Sequence, residues 1–444
     1  MDVPNLQRPK MRMPCALLRS VLSVVIVGIA VGGAIGAEGN TGSGLRAGAA
    51  VQRIDPVHLP VWVSGGIVAG KGERVVDSLY ARSLVLENNG TSIALCVVDS
   101  LGVPLELCEK AKELVRQQTG IPAERIMISA THTHSAPAVM GAHGTPAQED
   151  YAEALPGWIA DSIVSAHASM SPAQIGATVA NADRFIYCRH WIMEPGHASG
   201  PLFQGRASNI AAMNPGHENP FKVRQTGEVD RTIPILSVQD LDGRPIAVLA
   251  SFCTHYAGSP AISSDYFGVV AKELAAALRP EASDRFVGMM ANATSGDANC
   301  IDYSRPAKPY NYQEVGQYVA SRILEALPRV QYRRDVVVDS SFTWLTATIR
   351  KPSPEEAKEA EAYVAARMGD RLPSNIEENY AREAVLLARG PDTRQLPLQA
   401  FRIGDLGIAT FPNETFNASG LAVRAKSPFA ITMNIGLAND LAGY

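Results

Sequence analysis

The feature that most constrains the fold is a series of short apolar runs of strand length, separated by helical segments. The run at 91–99 (TSIALCVVD) is apolar without alternation, which indicates a strand buried on both faces. A helix is predicted over about 105–119, ended by Gly120 and Pro122, and a second strand over 125–129. Strand, helix and strand in this order predict a βαβ-like unit.

The same pattern continues through the second half of the chain. Further strands are predicted at 245–252, 286–291, 406–411 and 430–435, and helices at 268–278, 354–387 (interrupted near Gly369 and Pro373) and 414–426. Residues 190–230 are rich in Gly, Pro, Asn and His and lack periodicity, so a long surface loop is predicted there. The sequence therefore predicts an α/β fold: one large domain with a mixed central sheet, or sheets, flanked by helices and carrying long loop insertions.

The amino terminus has the composition of an export signal. Basic residues precede an apolar run from Val21 to about Ile35, and small residues follow it. We therefore predict a signal peptide over 1–37, a linker over 38–44 and a periplasmic or secreted protein after cleavage. The alternative is an uncleaved membrane anchor over 21–37, although a run of roughly 17 residues is short for a span.

Charge and cysteine content exclude several classes of protein. The formal net charge is -4, which excludes a generally basic nucleic-acid binder, and no nucleic-acid or protein partner is predicted. The six cysteines are widely spaced and form no CxxC motif, which excludes a disulfide framework and a cysteine zinc site. One or two disulfides and buried free thiols both remain open.

Two histidines follow one of the predicted strands. The segment 129–137 (SATHTHSAP) places His132 and His134 directly after the strand at 125–129. Residues i and i+2 of an extended chain point the same way, so both imidazoles are expected to face one site. Neutral imidazole is a good zinc ligand, but two structural histidines would explain the pair about as well.

Four more polar clusters follow later predicted strands. They are 251–266 with His255 and Asp265, 292–299 with Asp297 and Asn299, 411–416 with Glu414, and 437–444 with Tyr444. Polar clusters at strand ends are typical of the rim of an α/β active site. Alternatives stay open for two of the carboxylates: Asp265 is a site residue or a helix N-cap, and Asp297 is a candidate base or a plain turn residue.

Taken together, these segments resemble the neutral (non-lysosomal) ceramidase family, in its amino-terminal catalytic domain. The similarity begins at 45–50 (LRAGAA) and 77–82 (DSLYAR), passes through SATHTHSAP, ISSDY, TSGD and FPNETF, and ends at LANDLAGY. It implies that 45–444 is a neutral/alkaline ceramidase-like catalytic domain, without the immunoglobulin-like carboxyl-terminal domain of longer members. It also implies a lipid amide substrate, N-acylsphingosine, with peripheral membrane contact through that substrate.

The resemblance further implies a zinc site. The family holds zinc with two histidines, a glutamate and a tyrosine, and the matching residues here are His132, His255, Glu414 and Tyr444. Because Tyr444 is the last residue of the sequence, a ligand there is poorly held. The chain is then either a fragment or a short member whose fourth ligand is dispensable.

The resemblance implies catalytic residues as well, with one departure. His134 and, in a looser match, Arg189 resemble residues that contact the substrate carbonyl or its oxyanion. The family's catalytic serine is replaced here by Asn299. An amide cannot act as a nucleophile, but it can donate a hydrogen bond to an oxyanion. Asp297, in the same segment, is one candidate for the general base.

The sequence therefore predicts an exported zinc-dependent hydrolase that cleaves the carboxamide of N-acylsphingosine, or of another acyl amide, through a metal-activated water. The alternative is a zinc-binding relative that has lost hydrolysis and binds a lipid or a glycan. Loss of the serine favours that alternative, whereas retention of His132, His255 and Glu414 argues against it. A third hypothesis, a structural exported domain without a metal, would be tested by metal analysis.

Overall fold

The computed structural model describes residues 44–198, 210–278 and 286–443. The predicted signal peptide at 1–37, nearly all of the predicted linker and the predicted ligand Tyr444 lie outside these described residues. Within the described ranges, no helix is long and apolar enough to cross a bilayer.

The described residues form nineteen strands and seven α-helices. The strands are β1 (Arg46–Arg53), β2 (Val61–Val63), β3 (Gly70–Gly72), β4 (Tyr80–Asn88), β5 (Thr91–Val98), β6 (Ile126–Ala130), β7 (Ser171–Asn181), β8 (Tyr187–Cys188), β9 (His190–Met193), β10 (Ala211–Met213), β11 (Lys222–Gln225), β12 (Thr232–Asp240), β13 (Pro245–Phe252), β14 (Val287–Asn292), β15 (Ala298–Asn299), β16 (Val338–Thr348), β17 (Thr393–Ile403), β18 (Leu406–Thr410) and β19 (Ile431–Ile435). The helices are α1 (Leu105–Thr119), α2 (Glu149–Ala168), α3 (Asp265–Leu278), α4 (Tyr312–Ala326), α5 (Pro354–Arg367), α6 (Ile376–Arg389) and α7 (Asn417–Lys426).

A mixed sheet of eight described strands forms the centre of the fold, in the order β14-β13-β12-β7-β1-β4-β5-β6. The outermost pair at each end, β13 with β14 and β5 with β6, is parallel, and the inner pairs are antiparallel. The predicted βαβ unit is confirmed as β5, α1 and β6. Gly120 ends α1 in the left-handed conformation, with φ 75°.

Different layers cover the two faces of this sheet. On β5, Leu95 and Val97 pack into a core shared with a second sheet of order β16-β17-β18-β19, which contributes Phe401. The alternate residues Cys96 and Val98 pack with α1 and α2 on the opposite face, and α3 and α4 cover the β12–β14 part of it. Because side chains alternate along a strand, β5 is buried on both faces, as its continuous apolar run predicts. The predicted α/β fold with helix-flanked sheets in one large domain is confirmed.

The central sheet curls until its two edge strands meet at their carboxyl ends. The Asn292 side chain, at the end of β14, donates from Nδ2 to the Thr131 carbonyl, just after β6, at 3.2 Å. The chain that follows β19 fills the gap between the edges: Gly436 N–H donates to the Asn292 carbonyl and Ala130 N–H donates to the Leu437 carbonyl. The curl therefore gathers the ends of β6, β13, β14 and β19 at one place, where the polar clusters are predicted to lie.

Residues 190–230 contain more regular structure than the sequence predicts. β9, β10 and β11 form a small antiparallel sheet within this range, and Trp191 packs with Met193 and Tyr303 in a buried cluster of their own. The prediction of a loop without strands was wrong for these segments. Strands of three or four residues are too short to establish a period of two in the sequence.

The cysteines of the described residues form no disulfide. Cys96, Cys108, Cys188, Cys253 and Cys300 are all free and buried. Burial raises the pKa of the Cys96 thiol to about 12 and likewise that of Cys253. These thiols therefore act as small apolar core groups rather than as nucleophiles.

Candidate active site

Three histidine side chains meet where the strand ends converge. One ring nitrogen from each of His132, His134 and His255 lies within 4.8 Å of the other two. The Nε2 atoms of His132 and His134 are 3.3 Å apart, and the ring centroids of His132 and His255 are 4.6 Å apart. Imidazole nitrogens at this spacing are able to hold one small cation between them.

A turn in the backbone, and not an extended strand, brings the two neighbouring histidines together. His132 has φ 68°, in the left-handed region, and its N–H donates to the Ser100 carbonyl at 2.9 Å. Both imidazoles face one site, as the HxH pattern predicts, but alternation along an extended chain is not the reason. The loop that follows β5 fixes the turn, and sequence spacing does not reveal that contact.

Backbone carbonyls determine which ring nitrogen of these two histidines carries the proton. Nδ1 of His132 lies 2.7 Å from the Leu101 carbonyl oxygen, and Nδ1 of His134 lies 2.9 Å from that of Gly65. A carbonyl oxygen only accepts, so each Nδ1 donates and each neutral ring has an unprotonated Nε2. Burial lowers the pKa of all three histidines, to about 4 for His132. Neutral imidazole is the form that binds zinc.

Glu414 brings a carboxylate to the same centre from the loop after β18. Its Oε2 lies 3.7 Å from Nε2 of His132, and its Oε1 lies 3.4 Å from Nδ1 of His255. Burial raises the pKa of Glu414 to about 7, against the lowering effect of the Arg189 guanidinium. Three imidazoles and one carboxylate form a nitrogen and oxygen donor set that suits zinc.

Arg189 joins the carboxylate to the turn that follows β14. Its Nη2 donates to Glu414 Oε1 at 2.9 Å, and both Nε and Nη2 donate to the Gly296 carbonyl. Its backbone N–H donates to the carbonyl of Asp297 at 2.8 Å. The guanidinium is therefore fixed beside the centre, with a side chain only 11% exposed.

Asp297 and Asn299 lie next to the site, and their described hydrogen bonds go to other groups. Asp297 Oδ1 accepts from both the backbone N–H and the side-chain amide of Asn417, at 2.8 Å each, at the start of α7. Asn299 donates from Nδ2 to Asn214 and accepts from the Ile301 N–H. A general-base role for Asp297 and an oxyanion role for Asn299 remain predictions.

Sequence reasoning did not identify Tyr256. Its ring stacks on His134, with centroids 3.6 Å apart and planes 19° from parallel. Asp265 holds the loop that carries it, because its carboxylate accepts from the N–H groups of Ala257 and Gly258 at 3.0 and 2.8 Å. The only signal in the sequence is that Tyr256 directly follows His255. This adjacency does not distinguish a tyrosine of the site from an ordinary aromatic residue of the core.

The segment before Tyr444 is fixed beside the site. The Asn439 N–H donates to the Ile128 carbonyl at 2.7 Å. The buried Asp440 carboxylate accepts from the Leu105 N–H at the start of α1 and from the Arg394 guanidinium. Tyr444 itself lies outside the described residues, so its predicted role as a ligand stays a prediction.

Comparison with known proteins supports the fold. Comparison of the sequence with protein-family models gives no match, and neither does comparison with curated proteins. The structure matches the crystal structure of neutral ceramidase from Pseudomonas aeruginosa with a TM-score of 0.66 at 19% identity, over 90% of this chain and 68% of that chain. It also matches a ceramidase complexed with C2, with a TM-score of 0.64 at 18% identity, over 90% of this chain and 69% of that one. At these identities the matches show the fold, and the resemblance predicted from the sequence is confirmed at that level.

Proposed function

We propose that this chain is a ceramidase-like, zinc-dependent hydrolase that cleaves the carboxamide bond of N-acylsphingosine or of another acyl amide. The observation that carries the proposal is the convergence of three neutral histidines and Glu414 at the strand ends, in a chain with the fold of neutral ceramidase. Fold likeness alone does not identify an activity, and it is the chemistry of these side chains that supports hydrolysis.

His132, His255 and Glu414 would hold the zinc. The two imidazoles are almost fully buried and neutral, and Glu414 faces both of them at 3.7 and 3.4 Å. Tyr444 is proposed as a fourth ligand on the resemblance alone. When bound, zinc would polarise a substrate carbonyl and allow a water to be deprotonated near neutral pH.

His134 is the histidine placed to contact substrate, because it is only half-buried whereas the other two are enclosed. Its Nε2 is the unprotonated nitrogen, since Nδ1 donates to Gly65. In this form it accepts a proton and does not donate one, so it suits the general base better than the oxyanion contact predicted from the sequence. It would take the proton of the attacking water and then pass it to the leaving amine.

Arg189 supplies the fixed positive charge for the developing oxyanion. The Gly296 carbonyl and Glu414 already hold its guanidinium in place, so little reorganisation is needed as the charge forms. Asp297 and Asn299 are proposed to position this arginine. The Asp297 carbonyl accepts from the Arg189 N–H, and Asn299 pairs with Tyr187 on the short strand that precedes the arginine.

A second function has one specific observation in its favour. The chain carries Asn299 where the family resemblance places a catalytic serine, and an amide does not replace a hydroxyl in proton transfer. A zinc-binding relative that holds a lipid or a glycan without cleaving it fits this substitution. Turnover of an amide separates the two functions, whereas zinc content does not.

The test combines metal analysis with turnover on the purified protein. We expect about one zinc per chain and release of sphingosine from N-acylsphingosine, with both lost in His132→Ala. Bound zinc without cleavage of any acyl amide would favour the second function. Failure to take up added zinc would overturn the metal centre itself.

We propose export and membrane contact on the basis of the sequence alone. The charge and apolar pattern over 1–37 supports a cleaved signal, and a lipid amide substrate would bring the protein to a membrane surface. Amino-terminal sequencing of the mature protein tests the cleavage. A start just after Gly36 or Ala37 is expected, and a mature chain that begins at Met1 would contradict it.

A further inference from the structure

Asn417 is a fully buried residue at the start of α7, in the same segment as Glu414. Its backbone N–H and its side-chain Nδ2 both donate to Oδ1 of Asp297, at 2.8 Å each. Its own Oδ1 accepts from the Asp230 N–H at 2.7 Å. One side chain therefore joins α7 to two other segments, the turn after β14 and the chain just before β12.

The turn at Asp297 is the part of the fold that holds Arg189. The Gly296 carbonyl accepts from Nε and Nη2 of Arg189 at 3.1 and 2.7 Å, and the Asp297 carbonyl accepts from the Arg189 N–H at 2.8 Å. The Gly296 N–H in turn donates to the Thr415 carbonyl at 3.0 Å. A Cβ on Gly296 would lie 2.8 Å from the Glu414 carbonyl oxygen, so the two backbones are in direct contact. A shift of Asp297 would therefore move the guanidinium relative to Glu414.

An ion pair holds Asn417 in its turn. Asp230 is only 2% exposed, and its carboxylate accepts from the Arg424 guanidinium at 2.7 Å and from the N–H and hydroxyl of Thr232 at 3.0 and 2.8 Å. Because Arg424 and Asn417 both belong to α7, Asp230 contacts that helix at two places, about two turns apart. The amide of Asn417 is thus fixed before any ligand binds, as a preorganised site requires.

The Asp297 side chain is better placed to fix the backbone than to take up a proton. It is 3% exposed, and its Oδ1 already accepts two hydrogen bonds from Asn417. A general base has to reach the proton of a water or of the substrate. An enclosed carboxylate oxygen that is bonded to an amide and to a helix N–H does not offer that access.

We propose that Asn417 is a positioning residue of the hydrolase. With Asp297 it forms a clasp, which we call the Asn417 clasp, that sets the Arg189 guanidinium against Glu414. In this clasp Asp297 serves as a hydrogen-bond acceptor and not as the general base. The inference rests on the proposed function, because it takes the roles of Arg189 and Glu414 from there.

An exchange of the two side chains separates positioning from proton transfer. Asp297→Asn keeps an acceptor oxygen for both donors of Asn417, but an amide does not act as a base. Asn417→Asp removes the Nδ2 donor and sets a second carboxylate against Asp297, which repels it. The double variant has one amide and one carboxylate again, so an amide N–H is again able to donate to a carboxylate oxygen.

The first measurement is hydrolysis of N-acylsphingosine by the zinc-loaded enzyme at about pH 8, where two facing carboxylates are least able to share a proton. We expect Asn417→Asp to lower kcat by about 10- to 100-fold with KM changed less than about threefold, because the Arg189 contact strengthens as the oxyanion forms. Asp297→Asn should keep kcat within about fivefold of the wild type, and the double variant should recover most of what Asn417→Asp loses. An inactive Asp297→Asn, or a double variant no better than Asn417→Asp, would overturn the inference.

A matched control separates the loss of rate from a loss of stability. Asn88, at the end of β4, is also a buried asparagine whose Nδ2 donates to a backbone carbonyl, that of Val336, outside the candidate site. Asn88→Asp should lower thermal stability without lowering kcat of the folded protein. Asn417→Ala, which adds no charge, takes the place of Asn417→Asp if that variant does not fold, and the same loss of kcat is expected. Equal losses of kcat in the Asn88 and Asn417 variants would overturn the positioning role.

A spectroscopic readout separates failure of the clasp from failure of the proposed function. NMR of the isotope-labelled, metal-free protein follows the Nε–H of Arg189, which donates to the Gly296 carbonyl, without zinc or substrate. We expect its exchange with water to speed up by about tenfold or more in Asn417→Asp and to return toward the wild-type rate in the double variant. If no amide is cleaved, the hydrolase proposal fails, while this pattern still supports the clasp. An exchange rate that Asn417→Asp leaves unchanged would overturn the clasp, with or without amide cleavage.

Discussion

The two sides of the candidate site are built in different ways. The histidine wall consists of His132, His134 and His255, whose rings lie against the backbone carbonyls of Leu101, Gly65 and Ser295 at 2.7, 2.9 and 3.3 Å. The carboxylate wall consists of Glu414 and Arg189, which hold each other side chain to side chain at 2.9 Å. The Glu414 side chain remains 18% exposed, whereas those of His132 and His255 are almost fully enclosed.

This difference shows how strongly each wall is fixed. A ring that donates to a main-chain carbonyl has its orientation and tautomer set by the fold itself. The ion pair of Arg189 and Glu414 joins two side chains from loops that are 225 residues apart in sequence, and of these two only Arg189 also donates to a backbone carbonyl, that of Gly296. We expect the histidine wall to determine whether metal binds at all, and the carboxylate wall to adjust affinity and rate.

The largest effect is expected from removing a histidine. His132→Ala should abolish stoichiometric zinc binding and lower amide turnover by about a thousandfold or more. The reason is that a bound metal lowers the activation barrier by several kcal/mol. Metal analysis and turnover of the same preparation measure both. His167→Ala, on α2, is the control and should retain zinc and activity. Full zinc content in His132→Ala would show that this ring is not a ligand.

Glu414→Gln should have a smaller effect than His132→Ala. The amide has the shape of the carboxylate but not its charge, and it leaves Arg189 without its counter-ion. We expect zinc affinity to fall by about 10- to 100-fold, with turnover recovered in part by added zinc. Competition with a metal-sensitive dye gives the affinity. A loss as complete as that of His132→Ala would erase the proposed difference between the walls.

Arg189→Lys is expected to change the rate without changing the metal. Lysine keeps the charge but cannot contact the Gly296 carbonyl and Glu414 with one planar fork. We expect a fall of about tenfold in kcat with little change in zinc content. A variant with normal kcat and poor zinc binding would instead show that Arg189 supports metal binding.

The last predictions concern the stability of the metal-free protein, and the two walls should respond to pH with opposite signs. Burial lowers the pKa of His132 from 6.5 to about 4. The unfolded chain therefore takes up a proton between these values that the folded protein does not. Stability is full above pH 6.5 and is lost as the pH falls toward 4, by roughly 3 kcal/mol for this group.

The contribution of Glu414 to stability has the opposite pH dependence, because burial raises its pKa from 4.5 to about 7. The folded protein keeps a proton that the unfolded chain releases, so stability falls as the pH rises from 4.5 to 7, by roughly 3 kcal/mol. Urea unfolding of the metal-free protein measures both effects. His132→Asn should reduce the loss at low pH, and Glu414→Gln should reduce the loss toward neutral pH. The same pH profile in both variants would contradict the assignment.

The sequence predicted those parts of the fold that have a strong local signal. The apolar run of β5 and the amphipathic α1 lie where predicted, as does the break between α5 and α6 near Gly369 and Pro373. The curl of the central sheet was not predictable, because it depends on a contact between Asn292 and Thr131 that lie 161 residues apart. No local pattern specifies which edges of a sheet come together.

The same limit applies within the site. Histidines and a glutamate after predicted strands indicated the centre, and the structure brings His132, His255 and Glu414 together. The tautomer of His134 could not be predicted, because it is set by the Gly65 carbonyl of a distant hairpin. With Nδ1 donating to that carbonyl, His134 is proposed to act as a base and not as the donor that the sequence predicts.

The most direct test of the central claim is a zinc titration of the metal-free protein with amide hydrolysis as the readout. If the histidine wall and Glu414 form a catalytic centre, the rate should rise in proportion to added zinc, stop at about one equivalent, and stay flat in His132→Ala. Full hydrolysis by the metal-free protein, or a rate indifferent to zinc, would contradict the account.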